Sequence, residues 1–338
     1  MSVNRSRCII ALFMLVACGT TTPPAPSFSV LKQGETAALL SIWGTSSSDV
    51  WVTGARPSAT ANPTIVHLAG GVWTRIDSNQ SGIDLWWVFG FAGGDIFFSG
   101  SGGTILRYRG GNFEKLQTPS STATIFGMWG PTSEDVWAVG RATAMGPGVA
   151  LWHFDGTTWS SVDPPTGFPT GLLAFKVHGQ RSDDVWISCS GGATLHWNGS
   201  ALEYLPTGTQ ASLFSIVTTS SEVVTAGDMS GTTGTGALYE NDGTGWQAAA
   251  LAVPAAWRGV AGSTDEVYAV GDSGIIAHRD AAGAWSTIKQ TLIQLAFHAA
   301  WIDPDGGFWG VGGLFDSQPL SDGFLLYFGT ADIPRVTN

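Results

Sequence analysis

The sequence predicts an all-β fold, a seven-bladed β-propeller of four-stranded blades whose last blade is closed by the N-terminal strand. Three observations lead there. A pattern of the form W-G, short polar turn, D-V-W-x-V-G returns along the 338 residues at spacings of 46, 40, 49, 38, 44 and 41, the period of a four-stranded blade. The composition joins 46 Gly and 16 Trp to only 12% charged residues, which suits tight turns between short, aromatic-rich strands. The seventh copy stops half-way, and a segment matching its missing strand stands at the other end of the chain.

In chain order, the first element is a targeting segment, residues 1–17. Arg5 and Arg7 make a basic start, and Cys8 to Ala17 is an apolar run too short to span a bilayer. It ends in Leu15-Val16-Ala17-Cys18, which resembles the lipobox of bacterial lipoproteins and implies a lipidated Cys18. The absence of Asp after that Cys (Gly19 follows) implies the outer membrane. Removing Arg5 and Arg7 takes the formal charge from −11 to −13. Cys189 then remains as the only unmodified thiol, in an alternating apolar stretch that predicts a buried core residue. Residues 18–27 are rich in Thr and Pro and read as a flexible tether; residues 28–338 form the propeller.

The blades follow. Blade 1 opens at Ile42-Trp43-Gly44, passes Asp49-Val50-Trp51, and ends in the hairpin Ile65–Leu68, Gly70-Gly71, Val72–Ile76. Blade 2 starts at Val88-Phe89-Gly90 and Asp95-Ile96-Phe97. Blade 3 shows the pattern most fully: strand A ends at Trp129-Gly130, B is Val136–Val139, C is Ala150–Phe154 and D is Trp159–Val162. Blades 4 to 6 open at Val177-His178-Gly179, Ile216-Val217 and Val260-Ala261-Gly262, and blade 7 at Trp301-Ile302-Asp303. Phe28–Gln33 matches Phe113–Thr118, and each precedes a strand A, so the N-terminal segment supplies strand D of blade 7 and removes the open edge. Two residues before the Gly position the chain is apolar, from Ile42 to Trp301. One residue further back it is mostly small, as in Ser41, Gly127, Ser215, Gly259 and Ala300, with Trp87 and Lys176 as the exceptions.

The pattern W-G-x-[ST]-x-x-D-V-W-x-V-G, followed by [IL]-x-H and D-G-x-x-W, resembles the repeats of bacterial surface lipoproteins with seven-bladed propellers, loosely related to BNR and sialidase-like propellers. The resemblance spans Phe28 to about Gly329. It implies the fold and not an activity, because propellers host many functions. Asp155-Gly156-Thr157-Thr158-Trp159 has a shorter spacing than the BNR Asp-box, so sialidase catalysis is not implied.

Residues carried by the repeat are read as structural. Asp49, Asp95, Asp135 and Asp184 are expected to accept backbone N–H bonds in the A–B turns. His67, His153, His196 and His278 are expected to make repeat-borne turn contacts, being too far apart around a ring to share a metal. Asp303-Pro304-Asp305 is expected to be a plain turn, since it lacks the further ligands of a calcium loop. No catalytic set, metal or cofactor is expected. Function is expected where the repeat is broken. Lys176 and His178, with Arg258 in blade 6, are placed near the axial channel, either to hold an anion or carboxylate or simply to line a water-filled channel. The long B–C loops put varied residues on one face: Arg56, Arg141, Met145, Met229, Phe315 and Asp316 are the candidate partner contacts.

An acidic surface of charge −11 disfavours nucleic acid as a partner. The reading is a monomeric extracytoplasmic propeller in the bacterial cell envelope, periplasmic or surface-exposed. It is held to the membrane by its N-terminal lipid and binds or scaffolds a protein or polysaccharide through the long-loop face. The alternative is a carbohydrate hydrolase or lyase with a site in the channel or on that face; a third is a purely structural envelope lipoprotein.

Overall fold

The computed structural model describes residues 24–229, 236–251, 253, 255–264, 266–315 and 318–337. The targeting segment, Cys18 and Asp316 lie outside the described residues. The chain forms seven four-stranded antiparallel sheets. Their A strands touch in sequence around a central channel, and the A strand of blade 7 meets that of blade 1. Blade 3, for example, is Thr124–Thr132, Asp135–Arg141, Val149–Phe154 and Trp159–Ser161. In blade 7 the strands Ala296–Ile302, Phe308–Leu314 and Ser321–Gly329 are completed on the outside by Ser27–Ala37, which pairs antiparallel with Ser321–Gly329. The expected closure by the N-terminus is therefore present.

Each residue of the repeated pattern has a packing reason. In blades 1, 2 and 4 the strand-A Trp of the preceding blade lies over the Gly at the W-G position. A Cβ on Gly44, Gly90 or Gly179 would stand 2.8, 2.9 or 2.6 Å from the rings of Trp301, Trp43 and Trp129 respectively. The Gly that ends D-V-W-x-V-G faces a distortion in strand A. Every A strand carries a register shift near its start, a β-bulge, opposite the end of strand B. The bulge presses a backbone carbonyl onto that Gly: a Cβ on Gly54, Gly140 or Gly227 would lie 2.2, 2.0 or 1.9 Å from the oxygen of Ala38, Thr124 or Ser212. We therefore expect Gly140→Ala to lower stability by about 2–3 kcal/mol through overpacking against main chain, read as a shift of the urea midpoint. Gly110→Ala, with open space at its Cβ, is expected to lose about 1 kcal/mol through its positive φ alone. Equal losses at the two sites would contradict the bulge account.

The repeated Asp residues are structural, but they bond differently from the expectation. Trp51, Trp137 and Trp186 each pair across strands with a His on strand C: His67, His153 and His196. Two residues earlier on the same strand face stands the Asp, and it takes the imidazole: His67–Asp49 2.7 Å, His153–Asp135 2.7 Å and His196–Asp184 2.9 Å. The His ring stacks on the Trp, at 3.7 Å in blade 1 and 4.1 Å in blade 4. The Asp thus ties strand B to strand C instead of accepting turn N–H groups, because the side-chain period of two puts Asp and Trp on one face; in blade 1 Asp49 also accepts the Thr45 hydroxyl across the A–B turn. Asp95 likewise leaves its turn and holds the Arg109 guanidinium of strand C with both oxygens, whereas Asp303 behaves as expected of a turn: its Oδ1 accepts the N–H groups of Asp305 and Gly307, while its Oδ2 accepts the Trp309 indole. No group of three or more His, Cys, Asp or Glu side chains that could hold a metal occurs among the described residues.

Two details differ from the sequence reading. In blade 7 the register is one residue earlier: Ala300 pairs with Gly310 as Met128 pairs with Ala138, so Ala300 and not Trp301 takes the inner apolar position. Trp301 instead takes the position of Trp129, opposite Trp309. The C-terminal tail also does structural work that no repeat announces. The Trp73 indole donates to Pro334 O at 2.8 Å, and Val336 N–H to Leu31 O at 2.9 Å, so the tail laps the seam between blades 7 and 1. Cys189 is fully buried among Val139, Ala174 and Leu195, and burial pushes its thiol pKa up, as a core residue should.

Candidate functional site

The residue skipped by each strand-A bulge is re-aimed toward the channel mouth on the face of the B–C and D–A loops. In blades 1 to 4 these residues are Leu40, Trp86, Phe126 and Phe175; in blades 5 to 7 they are Phe214, Arg258 and His298. Bulges elsewhere serve to direct side chains in this way. Six of the seven, together with Phe315 and Lys176, enclose a cavity of about 230 Å³. The rings form a connected belt. Phe315 meets His298 (5.3 Å between centroids), His298 meets Trp86 (5.6 Å), and Trp86 meets Phe126 edge-on (5.2 Å). Phe126 then meets Phe175 (6.1 Å), Phe175 meets Phe214 edge-on (5.1 Å), and the Arg258 guanidinium lies 5.1 Å over Phe214.

Lys176 forms the floor. It and Trp87 are the two residues that break the small-residue layer beneath the bulges, and they meet each other: the ammonium sits 4.1 Å over the Trp87 ring. Gly127 lies between them in blade 3 and makes the room, since a Cβ there would stand 3.0 Å from the Lys176 backbone. The Lys176 Nζ donates to Phe126 O at 2.5 Å, and the Trp87 indole donates to Met128 O at 2.9 Å. This layer separates the mouth from a second cavity of about 210 Å³ below it, lined by Trp43, Trp129, His178 and Trp301 among others.

Electrostatically the mouth is cationic at its edges and neutral in its imidazoles. Burial pushes the Lys176 pKa down to about 7. Burial, reinforced by the charge of Lys176, pushes His298 down to about 3, and its Nδ1–H donates to Leu40 O. His178, which faces the lower cavity, is pushed down to about 4 by burial, and its bare Nδ1 accepts the Thr218 backbone N–H at 3.1 Å. Arg258 is held bidentately by Asp272, at 2.8 and 3.0 Å.

The sequence-selected residues are therefore sorted by the fold. Lys176, Arg258 and Phe315 come together at the mouth, and Arg141 reaches its wall, 5.8 Å from the Phe126 ring. His178 lies below the floor. Arg56 is turned aside, its backbone and guanidinium both donating to Asp84. Met145 is 91% exposed at a loop tip and Met229 is 40% exposed, and neither lines the cavity. The aromatic belt itself was not among the sequence-selected residues. The signal was present: the position four residues ahead of the strand-A Gly column reads Leu40, Trp86, Phe126, Phe175, then Phe214, Arg258 and, in the corrected register, His298.

No model of a known family matches the chain, and a search of curated proteins finds no match. Solved structures do resemble it. Virginiamycin B lyase from Staphylococcus aureus is 10% identical over 90% of this chain and 99% of its own, with a TM-score of 0.69. YCF48, solved bound to D1 peptide, is 15% identical over 94% of this chain and 100% of its own, with a TM-score of 0.63. The WD40 repeats of RRP9 are 12% identical over 91% and 99%, with a TM-score of 0.67. At these identities the likeness is one of fold, that of a propeller.

Proposed function

We propose that this chain is a binding propeller of the bacterial cell envelope, anchored through Cys18, which captures a protein partner at the centre of its long-loop face. The observation that carries the reading is the bulge-directed belt. Five of the seven blades place an aromatic side chain or an imidazole at one equivalent point, and the long loop of blade 7 adds Phe315. Rigid aromatic anchors around a small concavity are what hot spots in protein interfaces are made of. The lining offers π faces and cationic donors. Among the described residues lining it there is no carboxylate, whereas hydrolysis of a glycoside uses a pair of them; binding is therefore preferred to a carbohydrate-active site. Propellers as different as a lyase and a peptide-bound factor share the fold, so the fold itself does not choose between these functions.

The test is partner retention from envelope extract by the full chain. Trp86→Ala with Phe126→Ala is expected to reduce retention by roughly tenfold or more, and Met145→Ala to leave it unchanged. Equal retention by all three proteins would refute the mouth as the binding site. Retention that survives protease digestion of the extract would transfer the reading to a polysaccharide. The anchor is tested separately: Cys18→Ser is expected to move the protein from the membrane to the soluble fraction, and unchanged fractionation would refute lipidation.

A further inference from the structure

We propose that the mouth is a receptor for an apolar ring or side chain that ends in a carboxylate, the apolar part seated among Trp86, Phe126, Phe175 and Phe214 and the carboxylate on Lys176 Nζ. This rests on the mouth being the binding site and adds the chemistry of what enters it.

The argument starts from Lys176. A lysine that is only 5% exposed is normally neutralised by a partner. Lys176 has one hydrogen bond, to Phe126 O, and the face of Trp87. An ammonium has three donors, so two remain for a ligand. No carboxylate forms an ion pair with it among the described residues. Of the other cations, Arg258 is already matched by Asp272, and Arg141 lies against the Phe126 ring outside the residues that line the cavity. The uncompensated charge therefore sits at the floor of an aromatic cavity.

The surroundings narrow the ligand. A cation in an aromatic cage is disfavoured, because Lys176 and Arg258 would repel it. A sugar needs acceptors as well as a ring to stack on, and the lining side chains with fixed charge are donors only. The volume of about 230 Å³ lies below the 300–1,000 Å³ typical of drug-sized ligands, so one ring or side-chain terminus fits and a macrocycle does not. An apolar group with a terminal carboxylate satisfies the walls and the floor together. Two sources carry that chemistry, a free aryl or alkyl carboxylate and the C-terminal residue of a polypeptide.

Protonation of Lys176 should be coupled to binding. The groups that face it are Arg258 with Asp272 and Asp228, His298, Arg141 at the Phe126 wall, and His178 on its own strand. The two imidazoles are neutral near pH 7, being pushed down to about 3 and about 4. With Lys176 near 7, a bound carboxylate holds the proton on, so affinity is greatest below that pH and falls as pH rises, by at most about tenfold per pH step of one.

The experiment is calorimetric titration of the full chain, purified in detergent, with N-acetyl-phenylalanine, its amide and a short peptide ending in Phe. The acid is expected to bind roughly 10- to 100-fold more tightly than the amide, and this preference to decline with rising pH. Lys176→Met is expected to abolish the preference while the protein stays folded, as checked by its melting transition. A peptide that binds more tightly than the free acid identifies a chain terminus as the source, and equal binding identifies the free carboxylate; either supports the inference. Equal affinity for acid and amide, or a preference surviving in Lys176→Met, overturns the carboxylate and leaves the mouth as a binding site. Failure of all three probes to bind overturns the inference, and partner retention then decides separately whether the mouth binds at all.

Discussion

Deletion of residues 1–37 is expected to abolish cooperative folding and to leave a chain that aggregates, whereas a chain beginning at Ser27 keeps its melting transition. The deleted strand covers the edge of Ser321–Gly329, whose Phe324, Leu325 and Leu326 are fully buried. It also brings Leu31, only 2% exposed, into the core that joins blades 7 and 1. Its Glu35 meets Lys32 at 3.7 Å and bonds Arg75 of blade 1, and its Leu31 carbonyl receives the C-terminal tail. Without it the ring has a long, flat, apolar edge, the arrangement that invites edge-to-edge association. Light scattering and calorimetry give the readout. A soluble, cooperatively melting protein lacking residues 1–37 would contradict closure by the N-terminal strand. Leu31→Ala is the milder version, expected to cost about 2–4 kcal/mol.

Lys176→Met is expected to stabilise the protein below neutral pH. A lysine whose pKa falls from 10.5 to about 7 on folding carries a penalty of roughly 5 kcal/mol when protonated in both states. Loss of the charged bond to Phe126 O returns about 2 kcal/mol, for a net gain of about 3 kcal/mol near pH 6. The sign follows from linkage. The folded pKa lies below the unfolded one, so the penalty is full below about 7 and is relieved as pH rises from there toward 10.5. The stability difference between variant and wild type should therefore shrink with rising pH and vanish near the top of that window. Paired urea titrations across that range give the difference directly, free of the titrations that both proteins share. A constant difference, or one that grows with pH, would show that Lys176 is not a buried, uncompensated ammonium. A natural residue that lowers stability at the floor of a cavity is what a binding site built at the expense of stability would show.

How far the fold was legible follows from where its information lies. The two glycines of the pattern answer to recurring contacts, a neighbour's Trp in blades 1, 2 and 4 and a bulged carbonyl in six blades, so they repeat and the blades can be counted. The Asp–His tie repeats too, but its partners lie 18 residues apart in blades 1 and 3 and 12 apart in blade 4. Only the strand register joins them, which is why a local turn was the natural expectation. In blade 7, Trp301 stands next to Ala300 at strand A, and an apolar column alone chooses the larger residue; the pairing with Trp309 chooses otherwise. The tail bond to Trp73 spans 261 residues and has no periodic trace at all.

The candidate site was legible at its exceptions and illegible at its rule. Lys176 and Arg258 stood out because they break a column, and the fold brings both to the mouth. Trp86, Phe126, Phe175 and Phe214 look in sequence like ordinary strand residues. The bulge turns them from blade packing toward the channel, and a bulge is a register event with no residue signature of its own. Loop length drew attention to Met145 and Met229, neither of which lines the cavity; length marks a face of the ring but not the point on it where rigid strands converge.

The central claim is that the partner is held at the mouth of the loop face and not at the opposite face of uniform turns. Photo-crosslinking in intact cells tests it most directly, with p-benzoylphenylalanine at Phe315 on the mouth rim or at Val72, an exposed apolar residue beside the C–D turn of blade 1. The account predicts a discrete adduct from position 315, lost when Trp86 and Phe126 are both replaced by Ala, and none from position 72. An adduct from position 72 with none from 315 would contradict it.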